Sequence, residues 1–176
     1  LKSAEEKINS HLLKNYYYMH REWPYKNVKP RILAEKYMVD ESGNDLKDYK
    51  VFCFNGKAKY IQVHYDRFNG HKRNIYDRNW NLLNVQYLPH YIFSGNDDII
   101  IDKGRNIEKP LQFEQMIELA EKLAGDIPFV RIDFYSITNR IYFGEITLYP
   151  AAGFGRFIPE EYDKIFGNEI KLPNKI

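Results

Sequence analysis

The sequence predicts an α+β fold with a largely antiparallel sheet and flanking helices, on three observations. Asn55-Gly56 lies between two strand-like runs, "DYKVFCF" and "KAKYIQVHY", the strongest short-range signal for a hairpin. A second pair of runs, Phe129 to Tyr135 and Ile141 to Leu148, is rich in β-branched and aromatic residues and is separated by the turn formers Ser136 and Asn139. Between the hairpins, Phe113, Met116, Ile117, Ala120 and Leu123 recur at helical spacing and form one apolar face. Strands joined by tight turns pair antiparallel, and helices segregated from them cover a face of the sheet.

The remaining elements follow in order. "SAEEKINSHLLKNYYYMHRE" reads as one helix, with Ser3 and Glu6 in capping-box spacing and Ile8, Leu12, Tyr16 and Met19 on one stripe, ending before Trp23-Pro24. "RILAEKYM", Arg31 to Met38, reads as a strand, and the polar connection after it has Gly43 and Asn44 as turn formers. Past the first hairpin, "RNIYD" and "WNLLN" read as short strands in an irregular stretch that runs to Lys109. Pro110 suits the first turn of the second helix and Gly125 its stop. After the second hairpin come a glycine-containing loop, "AAGFGRF", and a short helix in "PEEYDKIF".

Composition narrows the function. A chain of 176 residues is one domain's length, and 44% apolar with 28% charged residues is ordinary for a globular protein. A net charge of +2, with no basic run interleaved with stacking aromatics, argues against a nucleic-acid partner. Cys53 is the one cysteine, in the apolar run "VFCF", and reads as a core residue. Nothing resembles a signal peptide or a membrane span, so stable membrane insertion is not expected and a cytoplasmic location is. The chain opens on Leu1, which suggests a piece of a longer protein.

The second hairpin poses the chemical question, because each strand carries an acid at its middle. A turn centred on Asn139 sets Asp133 opposite Glu145 on one face, with Arg131 beside them. Opposed carboxylates repel unless a cation or a basic side chain sits between them. Two carboxylates suit Mg2+, which keeps several waters and takes further ligands from substrate phosphates; a guanidinium at Arg131 suits a phosphate oxygen. Alternatively Arg131 simply pairs with Asp133 on a polar sheet face. On the metal reading, removing one acid in the absence of Mg2+ should leave the melting temperature level or raise it. The five histidines show no zinc-ligand spacing, and no nucleophile elbow, Walker loop or dinucleotide fingerprint is present.

"AEKYM", "DYKVFCFNGK", and "RIDF" and "EITLYP" with their acids twelve residues apart, together resemble the ATP-grasp superfamily, and within it the TupA-like branch associated with teichuronopeptide and cell-surface polysaccharide biosynthesis. The resemblance runs from about Arg31 to the end and implies an ATP-grasp-like lobe without the N-terminal part of the full fold. It implies ATP and Mg2+ as cofactors, with Asp133 and Glu145 as metal ligands and Arg131 at the phosphate. Glu35, Lys36, Tyr37 and Met38 resemble the adenine hinge, Asp48 the acid at the ribose hydroxyls, and Lys50 the basic residue of a D-x-R strand. Pro150 matches the proline closing an E-x-N-x-x-P motif whose asparagine is Thr147 here, a hydroxyl still able to take a metal position.

The implied activity is an ATP-dependent carboxylate–amine ligase acting through an acyl phosphate on small-molecule or polymer-linked carboxylate and amine substrates. The "AAGFGRF" loop places Arg156 as a bidentate partner for the substrate carboxylate. Two other classes stay open: a metal-dependent glycosyltransferase, and a non-catalytic carbohydrate-binding or assembly module whose Tyr and Trp rings stack on sugars.

Overall fold

The computed structural model describes residues 2–40, 46–67, 70–88 and 105–173. The chain divides into two compact units, Leu1–Tyr37 and Met38–Ile176. In the first, helix α1 (Lys2–Leu12) and a single helical turn α2 (Tyr17–His20) replace the continuous helix expected, and a 3-10 turn spans Trp23–Tyr25. Asn15 breaks the helix: its carboxamide oxygen accepts from the Tyr17 backbone N–H at 2.9 Å, and its amide nitrogen donates to the Lys26 carbonyl at 2.9 Å. A short amide offering its own turn competes with helical backbone pairing. The strand expected over Arg31–Met38 is not formed, since this unit contains no strand among its described residues to pair with. Leu33 and Tyr37 are exposed there. Gly43 and Asn44 lie outside the described residues.

The second unit is built on a five-stranded sheet in the order β3-β2-β1-β5-β6, antiparallel throughout. Its strands are β1 (Asp48–Phe54), β2 (Lys57–Tyr65), β3 (Lys72–Asp77), β5 (Phe129–Ile137) and β6 (Arg140–Thr147). A two-stranded sheet pairs β4 (Gln86–Leu88) with β7 (Arg156–Ile158). "WNLLN" contributes only a bridge from Leu82 to Tyr76, and the strand lies four residues further on, at β4. Helix α3 (Phe113–Ala124) buries Phe113, Met116, Ile117, Ala120 and Ala124 against one face of the large sheet. Ala124 takes the place expected of Leu123, which is 43% exposed. From the sheet, Val51, Cys53, Ile61, Val63, Val130, Ile132 and Phe134 meet that helix, each fully buried side chain contributing roughly 1.5–3 kcal/mol. Burial, with Glu121 nearby, pushes the Cys53 thiol up to about 12, so it serves as core rather than nucleophile. Helix α4 (Glu161–Gly167) falls within "PEEYDKIF" extended by one residue, and its Phe166 joins Phe52, Phe54, Ile75 and Val85 in a second core on the opposite sheet face.

Both hairpins use the same device. Asn55-Gly56 and Thr138-Asn139 each have two positive φ angles, the turn whose twist matches the flanking strands. At Gly56 a side chain is doubly excluded, because a Cβ would lie 2.0 Å from the Gly125 carbonyl oxygen. Each return strand then carries one extra residue. Pairing of Cys53 with Ala58 is followed by Phe52 with Tyr60, and pairing of Phe134 with Phe143 by Ile132 with Ile146. Because side chains alternate with period two, each insertion moves the rest of its strand to the other face.

Candidate functional site

The face of the sheet opposite α3 collects the charged side chains, and the bulges decide which ones. In β1 and β5, Asp48, Lys50, Arg131 and Asp133 alternate with apolar residues that point to α3. Antiparallel register sets Lys50 across from Asp133, Asp48 across from Tyr135 and Phe52 across from Arg131. Without the bulge in β6, the two-residue turn would put Gly144 opposite Asp133 and turn Glu145 away. With it, Arg131 pairs with Thr147, and Glu145 comes to the side of Asp133. The bulge in β2 likewise places Gln62 across from Lys50 and His64 across from Asp48.

The result is a row of alternating charge. Lys50 Nζ lies 2.7 Å from Asp48 Oδ2 and contacts Asp133 Oδ2 as well. Arg131 grips Asp133 with both arms, Nε to Oδ1 at 2.7 Å and Nη2 to Oδ2 at 2.8 Å, and its Nη2 also donates to Glu145 Oε1 at 2.8 Å and Thr147 Oγ1 at 3.0 Å. The Thr147 hydroxyl donates to Glu145 Oε1 at 3.1 Å. Arg67, unsuspected from sequence, reaches Asp48 Oδ2 at 3.3 Å. Asp48, Lys50 and Asp133 are buried, whereas the Glu145 side chain is 61% exposed. Taking a charge out of water is costly, and each of these groups has an opposite charge in contact. Burial works against the Arg131 charge, but the hydrogen bonds and charge of Asp133, with Glu145 and Asp48 beyond, outweigh it and hold the guanidinium above its usual range. For Asp48 burial wins over Lys50, and its carboxyl is raised.

A guanidinium therefore bridges Asp133 and Glu145. The expectation that removing an acid relieves repulsion and leaves melting level does not fit this arrangement, because Asp133 is the shared partner of two buried cations. Six of the sequence-predicted site residues, Asp48, Lys50, Arg131, Asp133, Glu145 and Thr147, share this one face. Arg156 stands on β7 opposite Leu88, in the smaller sheet, and is exposed. Glu35, Lys36 and Tyr37 belong to the first unit and Met38 opens the second, all on chain without helix or strand. Sequence reasoning missed Gln62 and His64. Their signal was the alternation in "YIQVHY", where Ile61, Val63 and Tyr65 take the core face and leave the polar pair on the other.

A family model described as TupA-like ATPgrasp matches residues 1–171. The chain belongs to the TupA-like ATP-grasp family. The match takes in the residues before Arg31, which lie outside the resemblance carried by the motifs. No curated protein and no solved structure matched the chain. For a TupA-like ATP-grasp chain, the test is whether these residues suit a metal and a nucleotide. No group of three or more His, Cys, Asp and Glu side chains is arranged to hold a metal among the described residues. Asp133, Glu145 and Thr147 instead offer two carboxylates and a hydroxyl, an all-oxygen set that suits Mg2+ completed by phosphate oxygens and water rather than a closed protein cage. Asp48 Oδ1, beside Lys50, is a buried acceptor with no hydrogen-bond partner among the described residues. The residues fit both groups. Pro150, which ends the Glu145-x-Thr147-x-x-Pro150 run, opens a 3-10 segment (Pro150–Gly153) in which Ala151 and Ala152 have φ of 51° and 54°, left-handed conformations unfavourable for alanine. Among the described residues, no helix is long and apolar enough to cross a membrane.

Proposed function

We propose that this chain contributes the phosphate- and metal-binding face of an ATP-dependent carboxylate–amine ligase that works through an acyl phosphate. The observation that carries the reading is the unbroken row Asp48–Lys50–Asp133–Arg131–Glu145 on one sheet face, with Thr147 beside it. Phosphoryl transfer asks the protein for little covalent chemistry and much positioning and charge neutralisation. Lys50 and Arg131 supply two cations at fixed spacing for phosphate oxygens, and Asp133 holds both in place. Mg2+, held by Asp133, Glu145 and Thr147, would neutralise charge between phosphates. The substrate carboxylate attacks the γ-phosphorus, ADP leaves, and an amine then displaces phosphate from the acyl phosphate to give an amide. Arg156 is proposed as the guanidinium that orients the carboxylate, and a cell-surface polysaccharide or peptide-linked polymer as its source.

The test is to incubate the protein with ATP, Mg2+, hydroxylamine and candidate carboxylates, since an acyl phosphate is trapped as a hydroxamate. Hydroxamate formed with stoichiometric ADP, and lost in Arg131→Met, is the expected result. Sugar transfer from a nucleotide sugar without ADP would overturn the ligase reading in favour of a glycosyltransferase.

A further inference from the structure

A cavity of about 260 Å³ lies beside the charge row, within the second unit. Phe52 and Phe54 continue the alternation of Asp48 and Lys50 along β1 and so share the charged face. Phe52 sits across from Arg131, and Phe54 across from Phe129. Six aromatic rings line the cavity and close on themselves. Centroids lie 6.5 Å apart from Phe52 to Tyr87, 4.9 Å from Tyr87 to Phe157 and 4.7 Å from Phe157 to Phe166. The circuit returns over 6.4 Å from Phe166 to Phe54, 5.1 Å from Phe54 to Phe129 and 6.2 Å from Phe129 to Phe52. Phe52, Phe54 and Phe166 are buried, whereas Tyr87, Phe129 and Phe157 are half-buried and leave the cavity open to solvent.

One wall is the loop that follows Thr147, and it is held in place. The Tyr87 hydroxyl donates to the Pro150 carbonyl at 2.9 Å. Gly155 packs so closely on the same ring that a Cβ would lie 2.1 Å from the hydroxyl oxygen. Ala151 and Ala152 keep left-handed φ, which persists only where the surroundings impose it. The wall thus follows directly on the run that carries Glu145 and Thr147.

The charge of the lining is one-sided. Asp163, exposed on α4, is the one charged side chain that lines the cavity among the described residues, and none of them pairs with its carboxylate. Burial pushes the Tyr87 phenol up to about 12, against the charge of Arg131 and with that of Asp163, so the ring is neutral and both ions lie within its electrostatic reach. An anion in this cavity would meet only a carboxylate, and a wholly apolar ligand would cover that carboxylate unpaired. An organic cation suits both features, because aromatic faces attract it and the carboxylate accepts from it.

We propose that this aromatic cage is the subsite of the amine substrate, taking a compact primary alkylammonium with its hydrocarbon body among the rings and its nitrogen at Asp163. This deepens the ligase reading and rests on it for the amine's role, whereas cation binding by the cage stands on the lining alone. Loss of one proton from the bound ammonium to water frees the lone pair that displaces phosphate.

The experiment measures binding of pentylammonium, pentanol and pentanoate by NMR titration without nucleotide, for the parent, Asp163→Asn and Phe157→Leu. Asp163 is exposed, so Asp163→Asn should melt like the parent. The parent should bind pentylammonium about tenfold or more tighter than pentanoate, and tighter than pentanol. Asp163→Asn should lose about fivefold or more in pentylammonium affinity with pentanol unchanged. Phe157→Leu keeps an apolar wall without a ring and should narrow the gap between pentylammonium and pentanol. No binding, equal affinities for the three, or a preference indifferent to Asp163→Asn overturns the cage. In the hydroxamate assay, saturating pentylammonium should lower the yield of the parent, and pentanol should not. Pentylammonium that binds yet leaves the yield unchanged overturns the assignment to the amine. If no hydroxamate forms at all, the ligase reading fails, and the binding series by itself decides whether the cage takes a cation.

Discussion

The two halves of the site face differ in how far their polar atoms are satisfied. On β5 and β6, Arg131, Asp133, Glu145 and Thr147 bond to one another, and no buried side-chain polar atom there lacks a partner among the described residues. On β1 and β2, Asp48, Gln62 and His64 each keep a buried atom without a partner among the described residues. The first half is a finished network that stabilises the fold, and the second is held at a cost, as binding surfaces often are. Substitutions on the two halves should therefore move stability in opposite directions.

The largest effect belongs to Asp133→Ala. It strips a partner from Arg131 and Lys50 together, and breaking a buried pair costs about 3–5 kcal/mol. Thermal unfolding should show a loss of about 6–20 °C. A variant melting with the parent would mean that the β5–β6 network is not a structural one, and the contrast would fail.

A smaller loss is expected at the bulge that assembles this network. A Cβ on Gly144 would lie 3.1 Å from the Asp133 carbonyl oxygen and 3.3 Å from the Tyr135 ring. Gly144→Val should cost about 1–3 kcal/mol by overpacking, read as a lower denaturant midpoint. If the midpoint holds, the bulge accommodates a side chain and Glu145 is not placed by glycine.

Asp48→Asn sharpens the other half. Burial raises the Asp48 carboxyl above its ordinary value of 3.8. A raised pKa means that folding favours the protonated form: the stabilising contribution is full below about pH 3.8 and is lost as pH rises through the folded value. Asparagine resembles that protonated form. The variant should melt level with the parent or about 2–4 °C higher near pH 7, with the gap closing toward pH 4, while ATP affinity falls. A clear loss of stability at neutral pH would show that Asp48 is a structural partner of Lys50 and would remove the difference between the halves.

How much of this was legible in sequence depended on the reach of each signal. Hairpins and α3 were read correctly because turn chemistry and periodicity are local. Asp133 and Glu145 were rightly placed side by side, yet through a turn centred on Asn139, whereas the chain uses a two-residue turn at Thr138-Asn139 and recovers the register with a bulge. Both routes add one residue to the return strand, so the face came out right. Asn15 ended α1 through a side-chain contact with the backbone that the apolar stripe does not reveal. The strand expected at Arg31–Met38 failed because pairing is supplied by neighbours, not by the segment. The guanidinium bridge and the orphaned atoms of Gln62 and His64 depend on register across three strands, which no local pattern carries.

The most direct test of Mg2+-dependent nucleotide binding at this face uses Glu145, whose side chain is 61% exposed and whose removal should change stability by about 1 kcal/mol or less. ATP affinity is measured by titration calorimetry with Mg2+ and with chelator, for the parent and for Glu145→Gln. The parent should bind ATP at least about tenfold more tightly with Mg2+ than without, and Glu145→Gln, melting like the parent, should lose most of that difference. ATP binding that is indifferent to Mg2+ in the parent, or a Mg2+ effect of full size in Glu145→Gln, would contradict the placement of metal and phosphate on this face.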